Sequence, residues 1–530
     1  MDFDFATYLN QLDATYIYRV EKLAGGVVNV TVRASKSRIA TTATITASPS
    51  PTMCESRNDN AGLDCDCGCD CGQGRFPGEK SLILKHAPPF IAGVGESAPM
   101  SQSRQEVEAA SLALFSPDPL PEGDRSRSLS SPSTQGVLHH VSTESGVMVP
   151  RLLHHDPANH VLVLSDLGPL PDLSKVFIEL GGFTPDSAGA ASWQPPPSSP
   201  RLGFPLEAHE ISTYRRIGEK LGMFFTRLHD TSSIRSILGA AGHEQGEVLL
   251  RNRSGQQSLR ADTSVFPSVP EMKTVIHEHV IKPIRSHLLK FPSLLDEAEA
   301  EILFAAVEAD FLRPTPPEEQ GVVLGDCWTG AVLVDLRPAT GEDVDVGMGV
   351  IDWEFSSLHG RGVNGDVSQF LAHLELLRVA AHAHPNGQAI GHLSAINAII
   401  EGFVRKYKLG QTKSSEDDCG LLRSAYLSHG AEIINCAFWK TWTCHDPECP
   451  SCTMTSQPSS CSSSASGQSG STQCSVITKL VSRGISFLRC AVATEPPRLG
   501  TAALRQNIAA NNLEMAYDNT QTKGLYDLFE

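Results

Sequence analysis

Two aspartates, Asp326 and Asp352, each stand next to an apolar run of β type. Asp326 follows VVLG within VVLGDCWTGAVLVDL, and Asp352 ends the run in GMGVIDW. Carboxylates fixed at the ends of rigid strands suit a reaction that joins a nucleotide–metal complex to a hydroxyl acceptor. One carboxylate orients the acceptor and the other binds the metal. Holding both at a set separation is where catalysis by positioning gains most.

The elements that must position them follow from periodicity. Residues 5–24 predict a short helix and then a strand. In LAGGVVNVTVRA (23–34), Gly25 and Gly26 allow a tight turn, and Val28, Val30 and Val32 alternate as in a half-buried strand. From residue 35 to 78 the pattern gives way to Ser, Thr, Pro and a run of cysteines. It returns at SLILKHAPPF, with a strand ending near Lys85, and a helix is expected over 101–115. HVLVLSDLG (160–168) predicts a connecting strand followed by a turn. Ile211, Tyr214, Ile217, Leu221, Phe224 and Leu228 recur at helical spacing. Further helices are expected over 272–289, kinked near Pro283, and over 294–311, 366–383, 390–407 and 475–520. The stretch 445–473 is low-complexity Ser, Cys and Gly.

At 530 residues the chain has room for two to four domains. The inserts reduce the expected ordered core to roughly 350–400 residues. A net charge of −17 argues against a nucleic-acid partner, which needs a basic footprint. The opening MDFDFATYLNQLD has no basic segment followed by an apolar one, so a cytoplasmic chain is expected. No run of about 18 apolar residues occurs, so no membrane span is expected. Most of the 14 cysteines cluster in two polar inserts, and they are expected as thiols.

Together these features resemble the aminoglycoside phosphotransferase and choline kinase superfamily, and within it most nearly methylthioribose kinase and related fungal proteins. LKHAPPFIAGVGESAPMSQSRQEVEAASL (84–112) carries a similar lysine, a Val-Gly-Glu-Ser turn, then an arginine and a glutamate on a helix. The resemblance implies an α+β, two-lobed protein-kinase-like fold with a small, mostly β N-terminal lobe (1–168, insert about 35–79). A larger, mostly helical lobe would follow (169–530, insert about 445–474). It also implies ATP and Mg²⁺ as cofactors and a small-molecule hydroxyl acceptor, such as a methylthioribose-like sugar, an aminoglycoside or choline.

The family roles fall on matching positions. Gly25, Gly26 and Asn29 would cover the nucleotide, because backbone N–H groups approach phosphate closely where no side chain intervenes. Lys85 would pair with the phosphates and Glu108 would fix Lys85, with Glu106 as the competing choice. Asp166, in Ser-Asp-Leu after the connecting strand, would mark the segment that meets the adenine edge. Asp326 would be the catalytic residue that accepts or orients the hydroxyl proton. Asp352 would bind the metal, with Glu354 as second ligand, since Mg²⁺ takes one or two carboxylates with phosphate and water. Asp366 would brace the catalytic loop.

Two positions depart from the pattern. Leu324 stands where the family has a loop histidine, and Ala331 where it has a metal-binding asparagine. Alanine cannot ligate a metal. The expectation is therefore an active kinase, with a weakened, nucleotide-binding pseudokinase as the alternative.

The cysteines allow a different chemistry. Cys65, Cys67, Cys69 and Cys71, and the set Cys444, His445, Cys449 and Cys452, have donors suited to Zn²⁺ or Cu(I). Placement in low-complexity inserts favours a loop without a metal. HEHV (277–280) is not a zinc motif, and Cys327 reads as a small buried hydrophobe.

Overall fold

The computed structural model describes residues 3–23, 27–38, 74–116, 135–177, 206–240, 270–336, 346–382, 390–407, 418–439, 442–443, 460–461, 474–493 and 524–528. It is a mixed α+β structure: an N-terminal five-stranded antiparallel sheet followed by a largely helical remainder.

The sheet contains β1 (Tyr16–Lys22), β2 (Val30–Arg38), β3 (Ser81–His86), β6 (Leu152–Asp156) and β7 (Val161–Ser165), in the order β1-β2-β3-β7-β6. A small hairpin, β4 (Phe90–Ile91) and β5 (Gly95–Pro99), follows β3. Strand periodicity divides the apolar side chains between two faces. Leu82, Leu84, Val161 and Val163 pack with Phe5 and Leu9 of α1 (Phe5–Leu12) on one face. Leu162 and Leu164 face the other way, into the main core with α2 (Arg104–Phe115).

Short helices α3 (His139–Ser145) and α4 (Leu173–Phe177) precede the long α5 (Ala208–Leu228) and α6 (Thr231–Ala240). The stripe residues Tyr214, Ile217, Leu221, Phe224 and Leu228 of α5 are buried, together with Phe225, Gly218 and Gly222, while Ile211 of the stripe is only partly buried. Then come α7 (Pro270–Ile276), α8 (Lys282–Leu289) and α9 (Glu297–Leu312). Four short strands follow: β8 (Gln320–Val323), β9 (Val332–Val334), β10 (Met348–Val350) and β11 (Ser357–Arg361). The chain continues with α10 (Ser368–His382), α11 (Ile390–Lys406), α12 (Asp418–Trp439) and α13 (Ser475–Ala493). Helix α5 crosses α11 so closely that a Cβ on Gly218 would lie 2.0 Å from the Ile399 carbonyl.

Several expectations need correction. Strand β2 does not stop at residue 35 but runs to Arg38, because it lies between β1 and β3, where Ser35 pairs with both Arg19 and Ser81. The sheet gains β6, whose His154, His155 and Asp156 hide its β character. The expected helix over 272–289 is interrupted by a π turn, His277–Ile281, in which Lys282 N–H bonds the His277 carbonyl. Pro283 cannot donate to the residue four before it, so the ladder widens ahead of the proline instead of kinking at it. The run ending before Asp326 is β8, which pairs with β11, and the run ending near Asp352 is β10, which pairs with β9. The cysteine sets, Gly25, Gly26 and residues 494–520 of the expected last helix lie outside the described residues. No helix among the described residues is long and apolar enough to cross a membrane.

Candidate functional site

Lys85 sits on the central strand β3, with Thr31 of β2 and Leu162 of β7 as neighbours in register. Leu82 and Leu84 point to α1, so the two-residue period sends Lys85 to the opposite face, toward α2. There Nζ meets Glu108 Oε1 at 2.7 Å, Asp352 Oδ1 at 2.6 Å and Glu354 Oε2 at 3.6 Å. One ammonium thus joins the sheet, α2 and the segment after β10. Burial alone would lower the Lys85 pKa; the three carboxylates outweigh it and hold the pKa well above its usual value.

Helix α2 supplies a buried polar stripe at i, i+4 and i+7: Arg104, Glu108 and Ser111. Arg104 is fully buried. Its Nε donates to Asn29 Oδ1 at 3.0 Å, and its other nitrogens donate to the carbonyls of Ser101 (2.7 Å) and Pro88 (2.8 Å). The Asn29 amide in turn donates to Glu354 Oε1 at 3.3 Å. The Ser111 and Ser356 hydroxyls are 2.6 Å apart, tying α2 to the turn after Asp352. Of the two candidate glutamates, Glu108 is the one at Lys85.

Asp352 has φ 66°, a left-handed conformation rare outside glycine. Glu108, Asp352 and Glu354 each offer an oxygen within 4.8 Å of the others. Glu108 Oε2 and Glu354 Oε2 are buried with no hydrogen-bond partner. Burial, reinforced by the Glu108 and Asp352 charges and opposed by Lys85, pushes the Glu354 pKa up to about 8. Burial likewise raises that of Glu108 against the pull of Lys85. Buried carboxylate oxygens without donors fit a hard divalent cation such as Mg²⁺.

Asp326 lies three residues beyond β8, on a loop fixed from below. The Asp366 carboxylate accepts the backbone N–H of Leu324 (2.7 Å) and of Gly325 (2.8 Å). Gly325 has φ +86°, and a Cβ there would lie 2.0 Å from the Phe355 carbonyl, so only glycine fits. The Gln369 amide reads the loop from α10: Nε2 donates to Asp326 Oδ1 at 2.7 Å, and Oε1 accepts Cys327 N–H at 2.8 Å. Burial, with the charge of Glu432 and lesser contributions from Asp352 and Asp366, pushes the Asp326 pKa up to about 7 against the Gln369 bond. The Cys327 thiol is buried and its pKa is driven well up, chiefly by burial, so it stays protonated.

Asp166 has a structural task. Its carboxylate takes two bonds from Arg33 (2.7 and 3.1 Å), one from Ser81 (2.7 Å) and one from Gly168 N–H (2.9 Å). These lock the turn after β7 to β2 and β3. The Asn29 side chain joins Arg104 to Glu354. Ala331 is buried, and its carbonyl accepts Ile351 N–H at 3.0 Å.

Sequence reasoning missed Gln369 and His229. His229 Nε2 lies 3.2 Å from Asp366 Oδ2, and Nδ1 lies 3.0 Å from the Tyr407 hydroxyl. Both residues come from helix termini whose sequences carry no chemical pattern. His277 of HEHV has an ordinary partner, Glu308 at 2.9 Å.

No protein-family model matches the chain. None of the curated proteins matches it either.

Proposed function

We propose that this chain is a Mg²⁺-dependent phosphotransferase. It moves the γ-phosphoryl group of ATP to the hydroxyl of a small acceptor in the cytoplasm, on a two-lobed, protein-kinase-like architecture. The lobes would meet after residue 168. The observation that carries the reading is the ammonium of Lys85 bound at once to Glu108 of α2 and to Asp352 after β10. An arrangement of this kind holds a cation ready for phosphate beside a carboxylate ready for metal.

In this reading Lys85 leaves Asp352 for the nucleotide phosphates while Glu108 keeps its orientation. Asp352 and Glu354 would hold Mg²⁺, which would supply positive charge beside the transferring phosphoryl group. Asp326 takes the acceptor hydroxyl's proton. Its pKa near 7 suits a base that must be free at neutral pH and still attract a proton. Gln369 aims its carboxylate, and Asp366 holds the loop beneath it.

One observation favours a second reading. Ala331 offers no side-chain oxygen to a metal, which fits a pseudokinase that binds nucleotide without transfer. ATP turnover by the full chain with Mg²⁺ separates the two, assayed across methylthioribose, choline, sugars and aminoglycosides with Asp352→Ala as control. Acceptor-dependent turnover lost in the control supports transfer. ATP binding without turnover on any acceptor supports the pseudokinase.

A further inference from the structure

A second cluster of donors lies beside the Asp326 loop; apart from the Glu432 charge felt at Asp326, it is not used in the proposed transfer. Helices α10 and α12 pack together, and Glu432 and Cys436, four residues apart on α12, face His373 of α10. His373 Nε2 is 2.9 Å from Glu432 Oε1. Cys436 Sγ is 3.4 Å from that oxygen and 3.8 Å from His373 Nε2. His373 and Cys436 are buried, and the Glu432 side chain is 13% exposed, which leaves a way in. Trp328, two residues after Asp326, has its ring 6.0 Å from that of His373.

Three facts make this a metal site in shape. Tetrahedral Zn²⁺ with bonds of about 2.0–2.3 Å needs donors about 3.3–3.6 Å apart. The three separations fall within about 0.5 Å of that range, a difference that small side-chain rotations absorb. The donors are one nitrogen, one oxygen and one sulfur, a set that Zn²⁺ accepts and Mg²⁺ does not. A carboxylate, a thiolate and a neutral imidazole carry two negative charges, which a divalent cation cancels, as a buried site requires.

We propose that His373, Glu432 and Cys436 bind one Zn²⁺ ion, separate from the Mg²⁺ site at Asp352 and Glu354. Binding breaks the Cys436 S–H bond: the proton goes to solvent, the electron pair stays on sulfur and forms the Zn–S bond, and no redox change occurs. His373 ligates through Nε2 with its proton on Nδ1, and Glu432 through Oε1. Three protein ligands leave a fourth position for water or another donor.

The test uses the full chain, stripped with chelator and titrated with Co²⁺ and then Zn²⁺ in excess Mg²⁺. The expected result is a thiolate-to-cobalt charge-transfer band with tetrahedral d–d bands, bleached by Zn²⁺. His373→Asn, Glu432→Gln and Cys436→Ser should each remove one metal equivalent or weaken it by more than about tenfold. Because other cysteines can take metal, the readout is the difference between the parent chain and each variant. Glu432→Gln keeps the shape of the side chain, so it decides the matter if another variant fails to fold. Equal metal content and equal spectra in the parent and Glu432→Gln would overturn the site and leave a hydrogen-bonded triad.

Discussion

Replacing Asp326 with Asn should make the protein more stable and nearly inactive, and the stability gain should depend on pH. The folded protein pushes this carboxyl from 3.8 to about 7. Between those values the native state holds a proton that the unfolded chain has released. Native stability therefore falls as pH rises through that window, and the full penalty is present above pH 7. A shift of about three units corresponds to a ceiling of ~4 kcal/mol. Asp326 is only half-buried, so ~1–3 kcal/mol is the fair expectation after solvent screening. Asparagine has no charge to desolvate, and its Oδ1 can still accept the Gln369 bond.

The assay is urea unfolding of both proteins from pH 4 to pH 8, without nucleotide or metal. The Asn variant should gain on the parent by ~1–3 kcal/mol between the two ends. Glu108 and Glu354 titrate in both proteins and cancel in the difference. With Mg²⁺ and a competent acceptor, the same substitution should lower kcat by about 10²–10⁴-fold. A stability difference flat in pH would refute the electrostatic argument, and turnover preserved within a few-fold would refute the role of base.

Lys85→Met leaves Glu108, Asp352 and Glu354 without their shared cation and should cost ~3–5 kcal/mol at pH 8. The loss should shrink toward pH 5 as the raised carboxyls of Glu108 and Glu354 take up protons; a loss independent of pH would count against the network. Gly325→Ala forces a Cβ against the Phe355 carbonyl at φ +86°, so it should cost ~3 kcal/mol or more in urea unfolding. A variant of parental stability would mean that the loop relaxes freely. Glu354→Gln should raise the Mg²⁺ concentration for half-maximal turnover about tenfold. An unchanged Mg²⁺ requirement would remove Glu354 from the metal site.

The sequence was legible where one residue type carries both a pattern and a purpose. Alternation in SLILKH placed Lys85 on a strand, and the structure puts it next to Glu108, as the lysine–glutamate pairing required. The stripe from Tyr214 to Leu228 gave α5. Helix α12 was not legible: it is buried nearly all round because other helices enclose it, and polar residues such as Arg423, His429, Glu432 and Asn435 are scattered among its apolar ones, so no amphipathic period can be read. That hid Glu432 and Cys436. Gln369 and His229 escaped for another reason. Each acts through one long-range hydrogen bond, to Asp326 and to Asp366, and no local spacing encodes a contact across 43 or 137 residues. Asp166 shows the same limit: the expectation for its segment concerned the backbone, and no local spacing announces that its carboxylate binds Arg33 and Ser81.

Ala331 and Glu354 pull the reading in opposite directions, and the costs stored at the site weigh between them. What Ala331 removes is one side-chain oxygen; its carbonyl still holds Ile351, so the approach to Asp352 is intact. Against this, Asp352 holds a left-handed backbone that costs a non-glycine residue ~1–2 kcal/mol. Glu354 buries an oxygen with no donor, and Glu108 buries another. Each unsatisfied group costs ~1–3 kcal/mol, more if ionised. A glycine at 352 would relieve the backbone cost. Lys85 recovers part of the burial costs, but one ammonium cannot satisfy three carboxylates. A divalent cation held by Asp352 and Glu354 would recover part of the cost of the unsatisfied oxygens, and backbone strain at such a site points to function. The energetic balance therefore favours Glu354 as a metal ligand in the proposed transfer.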